Sequence, residues 1–308
     1  MLKFIVRRIF WTIPVLLAVI FLTFMMMRQI GGNPFRHSER AVPEAVQRNL
    51  EAKFHVNDPW WKQYAYYVKG VFTLDFGPSL VLRGQTVNDI IKEHFPKSIE
   101  LGVYAFLFAI IVGVPLGVIA ALRHNTWVDY SAMFFSNVFH AIPSFLIATL
   151  MIYWLALELG AFPTSGWSTW EHKVLPSIAL GFAPMALFAR LVRGTMLETL
   201  QQDYVRTARS KGLRYRRVVG LHVLRNSLIP VITAAGPLLG FIITGSFVIE
   251  LIFNIPGIGQ YYVTAVNARD YSVVMGLTVL LSVIIIFANL VVDILYGILD
   301  PRTRDART

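Results

Sequence analysis

Cysteine is absent from the 308-residue sequence, which excludes disulfides, thiol chemistry and metal sites built on Cys. Charged residues are scarce at 15%, against roughly 25% in soluble globular proteins, while 56% of the residues are apolar. The sequence also lacks a P-loop, a nucleophile elbow and a His-Glu-x-x-His metal motif. We therefore expect an integral membrane protein that has no catalytic residues, no metal site and no cofactor of its own.

The apolar residues gather in six runs, and each run is long enough to cross the ~30 Å hydrocarbon core of a bilayer as a helix. Continuous runs of this length exclude a β-barrel, whose strands alternate over only ~10 residues. The predicted fold class is all-α, a polytopic membrane protein with six transmembrane helices. The runs lie at about 9–27, 101–122, 132–157, 174–190, 228–249 and 273–299.

The distribution of Lys and Arg predicts how the chain is oriented. Nine of the 28 Lys and Arg residues lie in the 190–227 loop, and each end of the chain carries three more. Because cytoplasmic loops are enriched in these residues, we place both termini and this loop in the cytoplasm. The predicted divisions are the N-terminus with the first span (1–28), an outer segment (29–100) and a five-helix core (101–308).

The outer segment is predicted to be extracellular and folded. Pro43 suits the first turn of a helix, and residues 57–59 and 75–78 have the composition of turns. Between these turns, the aromatic stretch 60–72 suits the membrane interface, where Trp and Tyr are favoured. A helix over 86–100 is expected to lead into the second span.

Small residues repeat at four-residue intervals on one face of the second span. Such a face lets helix backbones approach closely in lipid, where no hydrophobic effect drives helix association. It can pack either within this chain or against another subunit, and the residues alone favour packing within the chain. The face consists of Ala109, Gly113, Gly117 and Ala121.

Polar residues within apolar spans are costly, so they indicate either structural contacts or a path through the membrane. Asn137 and His140 lie three residues apart in the third span, and both interpretations fit them equally. Asn289 and Asp293 share a face of the sixth span. Asp293 is interpreted as a structural ion-pair partner of a cytoplasmic Arg or as a gating residue. Glu250, at the outer end of the fifth span, is interpreted as solvated.

The loop 190–227 has the most informative pattern. Apolar residues at helical spacing stop at Gly212 and a second helical pattern follows, which predicts two helices joined by a sharp turn. Basic residues in such a loop can bind anionic lipid headgroups, bind nucleic acid or dock a cytoplasmic partner. The tether between two spans disfavours nucleic acid. The helix–glycine–helix pattern favours docking, since lipid binding alone would not need the turn.

The stretch DYVRTARSKGLRYRRVVGLHVLRN, residues 203–226, resembles the EAA loop of ABC-importer permeases. Arg206-Thr207-Ala208 stands at the Glu-Ala-Ala position of that motif, and Gly212 is its glycine. The similarity extends over nearly the whole chain and includes NIPGIG at 254–259. In these features the sequence resembles the B-type permease subunit of dipeptide/oligopeptide ABC importers, of which nickel permeases are close relatives.

The resemblance implies the type I fold of ABC-importer permeases in the inner membrane of a bacterium. It also implies partners: a second, C-type permease, two cytoplasmic ATPase subunits that bind ATP and Mg²⁺, an external substrate-binding protein and the surrounding lipids. The implied activity is ATP-driven peptide uptake, with no enzymatic step in this chain. The loop that couples it to the ATPases would comprise Asp203, Tyr204, Arg206, Thr207, Ala208, Lys211, Gly212 and Arg225.

The sequence alone leaves other functions open. An ABC permease of this kind could carry nickel or another small cargo instead of peptides. A self-contained secondary transporter would need neither nucleotide nor a second permease, although no repeated halves are visible. A membrane-embedded enzyme would need a convergent catalytic cluster, and a scaffold that only recruits partners would carry no flux.

Overall fold

The computed structural model describes residues 2–30, 58–82, 84–243 and 247–299, with side chains for 10–29, 58–82, 84–243 and 247–291. Within these ranges the regular elements are helices, and a single bridge joins Pro78 to Thr86. The helices are α1 (Leu2–Ile30), α2 (Trp60–Thr73), α3 (Val87–Leu122), α4 (Trp127–Ala141), α5 (Ser144–Glu158), α6 (Glu171–Leu200), α7 (Asp203–Ser210), α8 (Tyr215–Ile243), α9 (Phe247–Ile252), α10 (Ile258–Ala268) and α11 (Tyr271–Leu299).

Five of these helices are long and apolar enough to cross a membrane, namely α1, α3, α6, α8 and α11. The consecutive helices α4 and α5 pass the same test together, which gives six spans if the pair counts as one. The all-α fold with six predicted spans is therefore confirmed. The outer helix predicted over 86–100 is continuous with the second span, because α3 runs through both without a break.

The third span, predicted as one run over 132–157, is not a single helix. The α4 and α5 axes differ in direction by 101°. Ile142 leaves the helical conformation (φ −77°, ψ 127°), and Pro143 follows it. Proline disfavours the helical conformation of the residue before it and has no N–H to donate, so the chain bends here. The apolar composition of a span does not indicate such a bend.

The chain divides into two compact units, of which the first comprises 1–98 and 256–287. Its larger core packs the end of α1 and the start of α3 against α10 and α11. The buried residues of this core are Met27, Val87, Ile90, Ile258, Ala265, Val273, Val274 and Leu277. Helix α10 was not predicted from the sequence.

Asp270 holds the turn that follows α2 in this unit. Its carboxylate accepts the Leu80 N–H at 3.1 Å and the Val81 N–H at 3.2 Å, and the Ser79 hydroxyl donates to it. The same carboxylate accepts the Val273 N–H at 3.3 Å, so Asp270 also caps the first turn of α11. One buried acid thus fixes two elements that are 190 residues apart in the chain.

The second unit comprises 99–255 and 288–308, and α6 runs through its centre. Glycines of α3 lie directly on α6: a Cβ at Gly113 would lie 2.5 Å from the Met185 carbonyl oxygen, and one at Gly117 would lie 2.8 Å from the Val192 Cβ. The predicted small face therefore packs within this chain. The contact positions rise together along α3 and α6, so these two helices run parallel.

Glu250 corrects another expectation. Its side chain is fully buried in α9, among the apolar cluster that contains Ile249, Phe253 and Ile255, so the interpretation of Glu250 as solvated is wrong. The helix predicted after Pro43 lies outside the described residues, as does the end of the chain beyond 299.

Candidate coupling helix and membrane-boundary ion pairs

The connector between α6 and α8 forms one short helix, α7, followed by a tight turn. Helix α6 ends at Leu200, so the apolar pattern that stops at Gly212 belongs to two helices rather than one. Gly212 has φ +75°, a left-handed conformation that favours glycine, and its N–H donates to the Arg209 carbonyl at 2.9 Å. The predicted helix–glycine–helix arrangement is therefore present in the structure.

Helix α7 has one buried and one exposed face. Val205 and Ala208 are buried in a cluster with Val192 and Met196 of α6. The first turns of α8 add Val218, Val219 and Val223 to the same cluster. Helix α7 is therefore anchored on two long helices by close apolar packing.

The exposed face of α7 carries four of the eight predicted coupling residues. Arg206 is 73% exposed, and its guanidinium lies 3.8 Å from the Asp203 carboxylate, a loose contact that leaves it available to a partner. Tyr204 accepts a hydrogen bond from the Asn226 amide at 3.1 Å, which ties the exposed ring to α8. Ala208 is the exception, since it packs inward. The exposed residues of the predicted set are Asp203, Tyr204, Arg206, Thr207, Lys211, Gly212 and Arg225.

An ion pair joins α6 to α4 near the connector between α6 and α8. The Arg193 guanidinium donates from Nε and Nη2 to the two Asp129 oxygens, at 2.5 and 2.7 Å. Asp129 is 1% exposed and also accepts the Asn125 N–H at 3.1 Å. Two parallel bonds fix the relative position of two planar groups, so this pair holds α4 on α6.

A second polar pair joins the same helices. Arg190 Nη1 donates to the Asn137 side-chain oxygen at 3.2 Å. Asn137 was interpreted either as lining the path or as a hydrogen-bond partner of a neighbouring helix, and this contact favours the second interpretation.

His140, three residues after Asn137, is exposed. Asn289 is half-buried in α11, and the Asp293 side chain lies outside the described part of the chain.

The opposite end of α6 carries another ion pair. The Lys173 ammonium donates to Glu100 Oε1 at 2.5 Å, and the Trp167 indole N–H donates to Oε2 at 2.9 Å. Lys173 and Arg193 are twenty residues apart, about 30 Å along a helix that rises 1.5 Å per residue. That length equals the thickness of a typical hydrocarbon core. The two ion pairs therefore lie at the two boundaries of the apolar part of α6.

Two family models match the chain. Residues 113–305 match the inner membrane component of binding-protein-dependent transport systems, and residues 1–102 match the N-terminal part of the membrane component of such systems. The chain belongs to this family of transport permeases. The resemblance seen in the connector sequence is thereby confirmed.

Curated relatives match the permease over its full length. It is 48% identical over 304 residues to the dipeptide transport system permease protein DppB of Bacillus subtilis, covering 99% of this chain and 98% of the relative. It is 46% identical over 306 residues to the oligopeptide transport system permease protein OppB of Salmonella typhimurium, covering 99% and 100%. This permease is therefore similar to the DppB and OppB proteins throughout.

A solved structure shows the same fold. The permease aligns with a chain of the inward-facing MetNI methionine ABC transporter with a TM-score of 0.56 and 18% sequence identity. The alignment covers 68% of the permease and 96% of that chain. The fold is that of a type I ABC-importer permease, as the sequence resemblance implied.

Sequence reasoning did not find the two ion pairs of α6. Asp129 and Glu100 stand near the ends of their spans, where a charged residue is ordinarily solvated. A signal was nevertheless present, since Lys173 and Arg193 stand at either end of one apolar run with a spacing that matches the membrane. Asp270 had a signal too, because an Asp directly before a helix is a favoured cap.

Proposed function

We propose that this permease is the B-type membrane subunit of an ATP-driven importer of dipeptides or oligopeptides. The observation that carries the proposal is its 44–48% identity, over 99% of its length, to permeases of dipeptide and oligopeptide transport systems. A second, C-type permease would complete the path, and an external binding protein would deliver the peptide. Two cytoplasmic ATPase subunits would bind ATP and Mg²⁺, so hydrolysis would occur outside this chain.

In this proposal the chain lies in the bacterial inner membrane with both termini and α7 in the cytoplasm. The excess of Lys and Arg in the connector supports that orientation. The exposed face of α7 would sit in a groove of an ATPase subunit, with Arg206 as its central charge. Because Val205 and Ala208 are packed into α6 and α8, closure of the ATPases would move these spans as rigid bodies.

The test is a charge reversal on α7 with a matched control elsewhere. Permease and co-purified partners are reconstituted in vesicles loaded with ATP and Mg²⁺, and uptake of a radiolabelled tripeptide from loaded binding protein is measured. Arg206→Glu should lower uptake at least about tenfold, the effect of losing ~1.4 kcal/mol at the interface. Arg123→Glu makes the same charge change at an exposed position of the α3–α4 connector and should leave uptake near the wild-type value.

Gly212 provides a second test of the same loop. Gly212→Pro cannot adopt φ +75° and cannot donate to Arg209, so uptake should be lost while assembled complex is retained. Gly212→Asn is the control, because Asn tolerates the left-handed conformation. Normal uptake by an assembled Arg206→Glu complex would remove that residue from the coupling role. Uptake without ATP would replace the proposal with a secondary transporter, and uptake of Ni²⁺ but not peptide would change the cargo.

A further inference from the structure

The carboxylate of Glu100 lies at the centre of a cage for a cation. Besides the Lys173 ammonium and the Trp167 indole, it accepts the Tyr104 hydroxyl at 3.1 Å. The Lys173 ammonium lies 5.6 Å from the centroid of the Trp167 ring and 5.8 Å from that of Tyr104. A carboxylate flanked by two aromatic rings is a favourable environment for any ammonium group. In this structure the chain's own lysine occupies it.

This pair differs from the ion pair at the other end of α6. The Lys173 and Glu100 side chains are 24% and 33% exposed and share a single hydrogen bond, whereas Asp129 is 1% exposed and is bound by two. An ion pair that water can reach adds little net stability, because solvent screens it and competes for both charges. Another ammonium can therefore replace the Lys173 ammonium without leaving the Glu100 carboxylate unpaired, while the tethered lysine competes for the same position and keeps the binding weak.

The cage is reachable from outside the subunit. Tyr104 is 39% exposed, and the Glu100 and Lys173 side chains are 33% and 24% exposed. Glu100 lies one turn before Tyr104 on α3. In the orientation proposed above, this end of α3 and α6 faces the side from which the binding protein delivers cargo.

We propose that Glu100, Trp167 and Tyr104 bind the N-terminal ammonium of a peptide in exchange for Lys173 at the outer entrance of the path. The inference rests on the proposed function, since a peptide cargo supplies the ammonium group. An exposed site of this kind binds weakly, and weak binding suits a transport path, because cargo must both enter and leave.

The test uses two variants that break the same ion pair with opposite consequences for the cage. Glu100→Gln removes the charge that attracts the cargo ammonium, whereas Lys173→Met removes only the competing ammonium. Uptake of trialanine and of N-acetyl-trialanine is measured in vesicles that contain the complex, with the binding protein outside. The rate for trialanine is divided by the rate for N-acetyl-trialanine, and this ratio is divided by its wild-type value. The preference of the binding protein for one of the two peptides then cancels.

Glu100→Gln should lower this ratio about fivefold and Lys173→Met should raise it. A purely structural ion pair would make both variants alike, so shifts in the same direction, or no shift, would overturn the proposal. Saturation-transfer NMR on the complex without binding protein or ATP gives an independent reading. Trialanine should bind Lys173→Met more strongly than wild type and Glu100→Gln more weakly. If no form imports peptide, the proposed function fails. The order of binding strengths measured by NMR still shows whether the cage binds the peptide ammonium.

Discussion

Replacing Gly113 with Ala tests whether the α3–α6 contact sets the stability of the permease. The new Cβ would lie 2.5 Å from the Met185 carbonyl oxygen and 3.2 Å from the Met185 Cα. A relaxed carbon–oxygen contact is about 3.3–3.6 Å, so α3 must move from α6 by close to 1 Å. Both neighbours are backbone and cannot rotate away. Overpacking of this kind costs ~1–3 kcal/mol, and we expect about 2 kcal/mol.

Gly194→Ala is the matched control, because it lies within helix α6 and a Cβ there meets nothing within 4 Å. Alanine in an open helical position should stabilise by ~0.5–1 kcal/mol. The assay is thermal unfolding of the purified permease, followed by circular dichroism in one detergent. Gly113→Ala should unfold about 5 °C below wild type and Gly194→Ala slightly above it. A Gly113→Ala protein that unfolds at or above the wild-type temperature would refute the close backbone contact.

The remaining predictions concern buried polar groups. Asp129→Asn leaves Arg193 without its anionic partner and should lower the free energy of unfolding by ~3 kcal/mol, the low end for a broken buried pair because Arg193 is 25% exposed; unchanged unfolding in denaturant would contradict this. The Tyr67 hydroxyl of α2 is buried without a hydrogen-bond partner among the described residues, so Tyr67→Phe should stabilise the protein by ~1 kcal/mol. Burial also raises the pKa of Tyr67 above its ordinary value of 10.0. Above about pH 10 an unfolded tyrosine loses its proton while the folded one keeps it, so wild type loses stability there. The Tyr67→Phe protein should lose less of its unfolding free energy above pH 10 than wild type. Equal dependence of the two unfolding free energies on pH in this range would disprove the prediction.

Span positions were predictable because composition alone decides whether a helix can sit in lipid. The small face of α3 was predictable for a similar reason, since spacing places Gly113 and Gly117 on one side of a helix. The turn at Gly212 was predictable because a left-handed residue after a helix is usually glycine. These features depend on residues close together in the sequence.

The features that were missed depend on contacts between distant residues. Glu250 at the end of an apolar run has the sequence of a solvated boundary residue, and only the packing around α9 shows that it is buried. Asp129 and Arg193 are 64 residues apart, so nothing local pairs them. The bend at Pro143 depends on both kinds of information. The proline is visible in the sequence, but whether it bends the helix depends on how the neighbouring helices pack.

A free transmembrane helix responds to a thicker or thinner bilayer by changing its tilt. Helix α6 cannot do so alone, because Arg193 is tied to α4 and the backbones of α3 and α6 are in close contact at Gly113 and Gly117. A hydrophobic mismatch must then be absorbed by deformation of the surrounding lipid, at fractions of a kcal/mol per Å. A change in the acyl-chain length of the host membrane therefore acts on α6 together with the helices bound to it, and the permease is matched to one bilayer thickness.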